Sequence, residues 1–445
     1  MRVDEAAGAV GETEREDVPA SRVRLPPLWL LGALAALLLM VAARQDIGDV
    51  FEYHCYALDF WQGAHAANSA LATPCSVKVQ DLAAAPFQEL PREYGPLSLV
   101  VFSLPMLAPI SWYDPVFHAL MTAVILGVTW LLDRFGPRGA GHAWLLYTLL
   151  GVMVEAAGRF DALVAAAMLI ALLAAQRGRS LIAYGSLAVG VLLKFFPLAL
   201  LPLFLIDSWR RRREQPFWRG PALFVGIVAA GEGVAALINP ARALQPLGFM
   251  GARCVEAEAY PATLAYLWAN VTGAGDQVTS RVVEKYSSLC QFGPGSDAAQ
   301  TVATLAAVVG LAAVYWLYWR ERLSLAQGLL FATGLLIVGV KVFSVQYLLW
   351  LSPFVAYIYG MEGMALLGWG AVLLATTLYY PLAIAPRVVQ IFGTWLVDHT
   401  SALVALRNTL MLIVGGLAWR GALRGSRREA EPTAAPVAVE AGRRP

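Results

Sequence analysis

Long apolar runs recur along almost the whole chain and constrain its fold more than any other feature. We count about twelve runs close to the length that a helix needs to cross a bilayer, roughly 20 residues. Because hydrocarbon offers the backbone no hydrogen-bonding partner, each run predicts a helix. The runs occupy residues 26–43, 96–111, 115–132, 141–155, 161–175, 181–206, 219–237, 299–318, 324–341, 345–360, 363–381 and 399–419.

The composition excludes most classes of soluble protein. Of the 445 residues, 58% are hydrophobic and only 14% are charged, whereas soluble domains carry roughly 25% charged residues. The mean hydropathy is +0.60. We therefore predict an all-α polytopic membrane protein. The formal net charge of +2 provides no basic surface for nucleic acid, so no such partner is expected.

Arginine clusters orient the predicted helices. They stand before the first run and after the sixth, eighth and twelfth runs, and the positive-inside rule assigns them to the cytoplasm. Both termini are then cytoplasmic, with disordered tails at 1–25 and 421–445 around a single transmembrane domain at 26–420. Charges at about 140–206 fit this parity poorly, and short or re-entrant helices there would resolve the conflict.

The parity places two long loops, about 44–95 and 238–298, on the outer face of a cell membrane. The first loop contains Cys55 and Cys75, and the second contains Cys254 and Cys290. An oxidising compartment favours one disulfide within each loop, although four cysteines permit three connectivities and four free thiols are the alternative. No cysteine or histidine spacing indicates a metal site, and no glycine-rich phosphate loop indicates a nucleotide.

Acidic residues gather where the first apolar run ends. Asp46 and Glu52 each lie within one helical turn of Asp49, and Glu93 stands just before the second run. In a chain this apolar, carboxylates at such a place must face water or a water-filled cleft, so the first loop is a candidate site of chemistry. A solvated acidic start of a helix is the alternative interpretation of Asp49.

Four short motifs are spread over most of the chain. They are Asp49-x-x-x-Tyr53, Glu93-Tyr94-Gly95-Pro96-Leu97, Gly190-x-x-x-Lys194-x-x-Pro197 and Lys341-x-x-Ser344-x-Gln346-Tyr347-x-x-Trp350. Together they resemble the motifs of the polyprenyl-phosphate-mannose-type transferases, a family of multi-pass glycosyltransferases with the GT-C fold. Two departures are clear: Gly95 replaces the first proline of the family's Tyr-Pro-Pro-Leu, and Gly158-Arg159 stands where the family has Gly-Gln.

The resemblance implies an inverting transfer of a hexose, mannose in the first place. The donor would be a polyprenyl phosphate in the membrane lipid, and the acceptor a lipid-linked or cell-envelope glycolipid or glycan on the outer face. Such a reaction needs a base for the acceptor hydroxyl and cations for the departing phosphate. We predict Asp49 as the base. The predicted substrate-binding residues are Asp46, Glu52, Tyr53, Glu93, Tyr94, Lys194, Lys341 and Gln346.

No cofactor is expected. A donor with one phosphate needs a metal less than a diphosphate does, although Asp46, Asp49 and Glu52 offer oxygen ligands suited to Mg²⁺ or Mn²⁺. Asp46 and Glu52 can also orient Asp49 or raise its pKa through like charge.

Two lysines are the candidate cations. Lys194 lies inside a long apolar run beside Pro197, which removes a backbone donor and breaks or kinks the helix. A lysine at that depth must line a cavity or pair, and a structural pair with Glu155 or Glu232 is the alternative to a donor phosphate. The parity places Lys341 at the outer end of its helix, where it either binds the phosphate or extends its ammonium to the interface.

A secondary transporter or flippase of lipid-linked saccharides is the competing function. Lys194 would then be a coupling charge at the midplane of the membrane. The two long outer loops and the lack of an evident inverted repeat favour the enzyme. A membrane scaffold without activity is a third possibility.

Overall fold

The computed structural model describes residues 25–42, 49–68, 71, 74–75, 85–212, 216–283, 288–384 and 400–430, and within these ranges the chain is mostly helical. The helices are α1 Leu28–Ala42, α2 Asp49–Gln62, α3 Leu97–Ser103, α4 Tyr113–Phe135, α5 Ala140–Gly151, α6 Met153–Gly158, α7 Asp161–Gln176, α8 Ser180–Leu193, α9 Leu201–Arg210, α10 Arg219–Ile238, α11 Pro240–Ala243, α12 Gln245–Ala252, α13 Tyr260–Val271, α14 Ser296–Trp319, α15 Leu325–Gly339, α16 Leu348–Tyr359, α17 Gly363–Ile384 and α18 Thr400–Ala430. Strands β1 Thr279–Val283 and β2 Ser288–Phe292 form an antiparallel hairpin.

Every apolar run contains at least one described helix, whereas α2, α11, α12 and α13 lie in the stretches predicted as outer loops. The helical, membrane-type character of the chain is confirmed. Among the described residues, four helices are long and apolar enough to cross a membrane: Ile110–Phe135, Arg219–Ile238, Ser296–Trp319 and Ser401–Arg424. Seven further apolar helices have only 10–17 residues. The predicted count of about twelve spans and the orientation of the termini stay predictions.

Helix α8 ends where the proline signal predicts a break. Lys194 has extended backbone angles, φ −151° and ψ 130°, and a 3-10 turn over Phe196–Leu200 follows before α9 begins. Pro197 has no N–H to donate to the carbonyl of Leu193, four residues before it, and in a continuous helix its ring would clash with that carbonyl. Lys194 therefore lies at an interruption between two helices and not in the middle of a continuous helix.

The stretch at 140–206, where charge and parity disagree, consists of short helices. Helices α5 and α6 are separated at Val152, whose φ of −141° is not helical. Helices α7 and α8 have 16 and 14 residues. Short helices are one of the two resolutions that the charge pattern allows.

The core of the bundle lies around α7, which is buried along most of its length. Trp144 of α5, Phe160 before α7 and Phe354 of α16 are all fully buried in one continuous cluster. Helix α7 packs against α4, α8 and α16. Residues at the two ends of α7 are consequently held by neighbours on several sides, which matters for the site described below.

Local backbone chemistry sets several other boundaries. Ser324 and Gln327 form a reciprocal capping box that starts α15. Gly63 ends α2 with a φ of +51°, and a Cβ there would lie 2.5 Å from the backbone of Ala85. Only glycine adopts this conformation at so close an approach without strain.

Each of the two segments that the sequence predicts to be an outer loop contains one disulfide. Cys55 of α2 is bonded to Cys75, and Cys254 is bonded to Cys290 of β2. The predicted pairing within each loop is confirmed. The second bond ties the β-hairpin to residues 253–260, a stretch that we call the Arg253 segment.

The last helix extends beyond the predicted boundary of the C-terminal tail. Helix α18 continues to Ala430, ten residues into the stretch 421–445 predicted as the tail. Alanine and arginine are good helix formers, and arginines near a helix C-terminus interact favourably with its dipole. Residues 1–24 and 431–445 lie outside the described residues.

Candidate active site

Asp49 is the first residue of α2, at the end of the helix where the dipole favours a negative charge. Its Oδ2 lies 2.6 Å from Nε of Arg159, and Arg159 also pairs with Glu155. The Asp49 side chain is 21% exposed, against 1% for Glu155. The predicted base is therefore the accessible carboxylate of a pair that shares one arginine.

The loop before α3 docks on the broken end of α8. The N–H of Gly95 donates to the carbonyl of Leu193 at 3.2 Å. A Cβ on Gly95 would lie 2.2 Å from the carbonyl oxygen of Leu192, so no other residue fits without moving the backbone. The departure from the family's first proline thus has a local reason, and it brings Glu93 and Tyr94 next to Lys194.

Glu93 faces the Arg253 segment. Its Oε2 lies 3.6 Å from Nη1 of Arg253, whose Nη2 lies 2.7 Å from Oε1 of Glu256. Ser288 of β2 donates to the same Oε1 of Glu256 at 2.8 Å and also contacts Arg253. Arg253 is therefore fixed on one side by the disulfide-bonded hairpin and points its other amino group at Glu93.

Burial raises the pKa of Glu93 to about 7. The positive charges of Arg253 and Lys194 oppose the rise, whereas the negative charges of Asp49 and Glu256 add to it. A carboxyl group with such a pKa changes charge near neutral pH, where acid–base catalysis is most effective. The mutual influence also shows that Asp49, Glu93, Lys194 and Arg253 lie close together; with Arg159 we call them the charged cluster.

Lys194 is held by a buried carboxylate and a set of aromatic rings. Its Nζ lies 2.7 Å from Oδ1 of Asp161, and Nε1 of Trp350 donates to the same oxygen at 2.9 Å. The ammonium also lies 5.2 Å from the centroids of Tyr347 and Trp350 and 5.7 Å from that of Tyr94. Aromatic faces stabilise a desolvated cation. The alternative interpretation paired Lys194 with Glu155 or Glu232. The structure pairs Lys194 with Asp161 instead, and Glu155 pairs with Arg159.

Aromatic side chains form an apolar wall behind the charged cluster. Tyr53 is fully buried and stacks on Phe102 with centroids 4.3 Å apart and planes 5° from parallel. The Tyr94 ring makes T-shaped contacts with Tyr53 and with Phe160, at centroid distances of 5.7 Å and 5.1 Å. Glu52 is also buried, at 7% exposure. Low-dielectric walls of this kind strengthen the electrostatic interactions in front of them.

The remaining predicted residues lie differently. Lys341 donates from Nζ to the carbonyl of Gly251 at 2.6 Å, at the end of α12. Gln346 is 4% exposed, and its Oε1 has no hydrogen-bond partner among the described residues. Asp46 lies outside the described residues, so a metal site that includes it stays a prediction.

The structure adds residues to the site that the motifs did not select. Arg159 entered the sequence analysis only as a departure from the family's Gly-Gln, Asp161 only as one of the charges at about 140–206 that fit the parity poorly, and Glu256 stood in a loop without a recognisable pattern. A usable signal did exist for Arg159 and Asp161, since charged residues between two apolar runs must find partners. For Arg253 and Glu256 the partners are distant in sequence, and no local pattern reveals them.

A large apolar cavity opens elsewhere in the bundle, between α14, α15, α17 and α18. Its volume is about 1020 Å³. At one end it is lined by polar residues, including Glu321, Arg322 and Glu362, and at the other end it reaches Tyr260. The Tyr260 ring stacks on Phe343 with centroids 5.9 Å apart, and the centroid of Phe343 lies 6.2 Å from that of Tyr347 of the Lys194 site. Aromatic contacts thus connect the cavity to the charged cluster.

Comparison with known families identifies the class of protein. The family model for glycosyltransferase family 87 matches residues 93–345, which is more than half of the chain. The chain belongs to glycosyltransferase family 87. Members of this family transfer a sugar from a donor to a glycan or lipid acceptor, so the protein is a membrane glycosyltransferase. No curated protein matches its sequence.

The family 87 match begins at Glu93 and ends at Val345, so it includes Glu93, Tyr94, Lys194 and Arg253. Asp49 and α18 lie outside it. The matched part of the chain therefore supplies most of the charged cluster, whereas the carboxylate at the start of α2 comes from the region before it.

Proposed function

We propose that this family 87 enzyme moves a hexose, mannose in the first place, from a polyprenyl phosphate to a lipid-linked or cell-envelope acceptor. The site would face the outer side of the membrane, and both termini the cytoplasm, in a GT-C-like arrangement of about twelve spans. One observation carries the proposal: accessible carboxylates and cations gather in one charged cluster at a break between apolar helices. That composition suits an acceptor hydroxyl on one side and a departing phosphate on the other.

The proposed reaction is a single inverting displacement. The acceptor oxygen forms a bond to the anomeric carbon while the bond from that carbon to the phosphate oxygen breaks. Asp49 takes the proton of the acceptor hydroxyl, and polyprenyl phosphate leaves with the electron pair of the broken bond. Arg159 orients Asp49 through their 2.6 Å contact, and no covalent intermediate on the protein is needed.

Glu93 is the second candidate for the base. Its pKa of about 7 suits proton transfer at neutral pH. Its charge also pairs with Arg253, so its ionised form would be needed even if Asp49 accepts the proton. Either role makes transfer depend on the Glu93 carboxylate.

Lys194 and Arg253 are the proposed contacts of the donor phosphate. Both lie in the charged cluster, and both already contact carboxylates that a phosphate would replace or join. Arg253 offers the planar, forked donor group that suits phosphate oxygens. Lys341 remains a weaker candidate, because its ammonium is engaged by the carbonyl of Gly251.

The apolar cavity is the proposed site of the polyprenyl chain. Its volume of about 1020 Å³ is at the upper end of the range for ligand pockets, roughly 300–1,000 Å³. Glycines on α18 keep it open, because a Cβ added at Gly415, Gly416 or Gly421 would meet no atom within 4 Å. A donor with its phosphate at the charged cluster would extend its chain past Phe343 and Tyr260 into this space.

The test is transfer by the purified protein in lipid vesicles. Polyprenyl-phosphate sugars with a radiolabelled sugar are supplied together with candidate glycolipid acceptors, and labelled product is measured. Label in the acceptor with inverted anomeric configuration supports the proposal. Movement of the lipid-linked sugar across the vesicle membrane without transfer would favour the transporter instead, in which the buried Lys194–Asp161 pair would be the coupling charge.

A further inference from the structure

Helix α18 contains two adjacent polar side chains that are completely removed from solvent. Arg407 and Asn408 are both 0% exposed. They lie outside residues 93–345, which match the family, and no sequence motif selected them.

A buried guanidinium is costly unless it is paired and hydrogen-bonded, so the partners of Arg407 indicate which part of the chain it holds.

Both side chains bind the Arg253 segment at Glu258. Nη2 of Arg407 donates to the Glu258 carbonyl at 2.7 Å, and Nη1 lies 3.4 Å from its carboxylate Oε2. Nδ2 of Asn408 donates to the same carbonyl at 3.1 Å and to Oγ1 of Thr263 at 2.7 Å. One backbone carbonyl thus accepts from two side chains of α18, and a third bond fixes the first turn of α13.

Arg407 also contacts the second segment that approaches the charged cluster. Its guanidinium lies 4.2 Å from the centroid of the Phe343 ring. The two segments are joined directly, because the N–H of Glu256 donates to the carbonyl of Lys341 at 2.8 Å. Arg407 therefore contacts both members of this joined pair.

We propose that Arg407 and Asn408 are positioning residues that hold the Arg253 segment in place, so that Arg253 stays opposite Glu93. The chain of contacts runs from α18 to Glu258, two residues along to Glu256, and from Glu256 to Arg253 at 2.7 Å. The proposal rests on the proposed function in one respect: it assumes that transfer depends on the ionised form of Glu93.

The position of the Arg253 segment sets the pH at which Glu93 ionises. The charged and titratable groups that face Glu93 come from several elements, and among them Arg253 and Lys194 favour its ionised form. If the Arg253 segment moves away, Glu93 loses the positive charge of Arg253, and ionisation requires a higher pH. The facing groups are Asp49 and Tyr56 of α2, Tyr94 of the loop before α3, Lys194 after α8, and Arg253 with Glu256 of the Arg253 segment.

A purely architectural role for Arg407 would have a different consequence. It would lower the amount of folded protein or its thermal stability, and it would leave the pH dependence of the remaining activity unchanged. The two roles are therefore separated by the pH profile rather than by the level of activity.

The experiment compares transfer by the parent with four variants between pH 5.5 and pH 8.5. Asn408→Ala and Thr263→Val remove the anchoring bonds without leaving a buried charge, so they remain informative if Arg407→Gln does not fold. Arg407→Lys keeps a cation near Glu258. We expect Asn408→Ala and Arg407→Gln to move the midpoint of the rising limb to higher pH by about half a pH unit or more, Thr263→Val to move it less, and Arg407→Lys to restore most of the parent profile.

Arg242→Gln is the matched control. Arg242 pairs with Glu89 at 2.9 Å, and the charges that act on Glu93 are those of Arg253, Asp49, Glu256 and Lys194 instead. It should lower stability without moving the midpoint. An unchanged midpoint in Asn408→Ala and Arg407→Gln, or an equal displacement in Arg242→Gln, would overturn the positioning role.

Hydrogen–deuterium exchange gives a second measure that does not need activity. Amides of residues 255–260 should exchange faster in Asn408→Ala than in the parent or in Arg242→Gln. Unchanged exchange overturns the proposal whatever the activity. Faster exchange in a protein whose parent transfers no sugar from any polyprenyl donor supports the anchoring and overturns the proposed function, so the two failures remain distinguishable.

Discussion

Replacement of Lys194 by methionine separates the structural from the chemical role of this lysine. Methionine has a similar length and no charge, so the substitution leaves Asp161 without its cation while the space stays filled. The Asp161 side chain is 1% exposed, and among the described residues only the indole N–H of Trp350 would still donate to its Oδ1. Loss of one partner of a buried ion pair costs about 3–5 kcal/mol, because the other charge is left uncompensated.

The corresponding fall in melting temperature follows from the size of the chain. The entropy of unfolding is roughly 2.1 cal/mol/K per residue, so a chain of this length loses about 1 °C for each kcal/mol. Thermal unfolding in detergent should therefore show a decrease of roughly 3–5 °C for Lys194→Met. The double variant Lys194→Met/Asp161→Asn removes both charges and should recover most of that loss.

Transfer activity should respond differently. If Lys194 holds the donor phosphate, the double variant stays about ten- to a hundredfold less active than the parent even though its stability is restored, since a hydrogen bond to a charged group is worth about 1.5–3 kcal/mol. The KM for the polyprenyl donor should rise in both variants, and the KM for the acceptor should not. Recovery of activity together with stability would show that Lys194 serves only to neutralise Asp161, and the proposed phosphate contact would be refuted.

Further predictions concern the base, its pH dependence, the disulfide and the cavity. Asp49→Asn should lower turnover by roughly 10² to 10⁴ while donor binding persists; near-normal turnover would remove Asp49 as the base. Burial favours the neutral form of Glu93, so transfer should increase as the pH rises through about 7. Glu93→Gln should abolish this increase if any activity remains. Cys290→Ser should destabilise the fold by about 2–4 kcal/mol, measured by thermal unfolding, and lower transfer more than it lowers acceptor binding. Gly416→Leu narrows the cavity. If the leucine displaces two CH₂ groups of the donor chain, at about 0.8 kcal/mol each, the KM for a long-chain donor should rise about tenfold. A short-chain donor and the control Gly370→Leu, which lies in open space outside the cavity, should show no such increase.

The helical elements could be predicted from the sequence because their cause is local. An apolar run of sufficient length becomes a helix in a membrane protein whatever its neighbours are. The interruption after Leu193 was equally local, since Pro197 has no N–H for the carbonyl of Leu193 and its ring would clash with that carbonyl in a continuous helix. The β-hairpin Thr279–Phe292 was not predicted, because its two short strands have no alternating pattern that distinguishes them from a polar loop.

The candidate site was only half visible in the sequence. The motifs selected Asp49, Glu93 and Lys194, all of which belong to the charged cluster. They also selected Lys341, whose ammonium binds the carbonyl of Gly251. Its position at a helix end suggested a free cation, but side-chain direction depends on what packs beside it, and a helix C-terminus offers carbonyl oxygens to any cation within reach.

Sequence alone determined that the chain is a helical membrane protein, where the helices of its apolar runs lie, where one of them breaks and which cysteines share a loop. These properties depend on hydrophobicity, proline chemistry and chain proximity, all of which act over a few residues. Tertiary structure decided which charge meets which: Arg159 with Asp49, Asp161 with Lys194, Arg253 with Glu93, and Arg407 with Glu258. Ion pairs in an apolar bundle form between whichever opposite charges the packing brings together, because each buried charge must find a partner and the nearest one in space is seldom the nearest one in sequence.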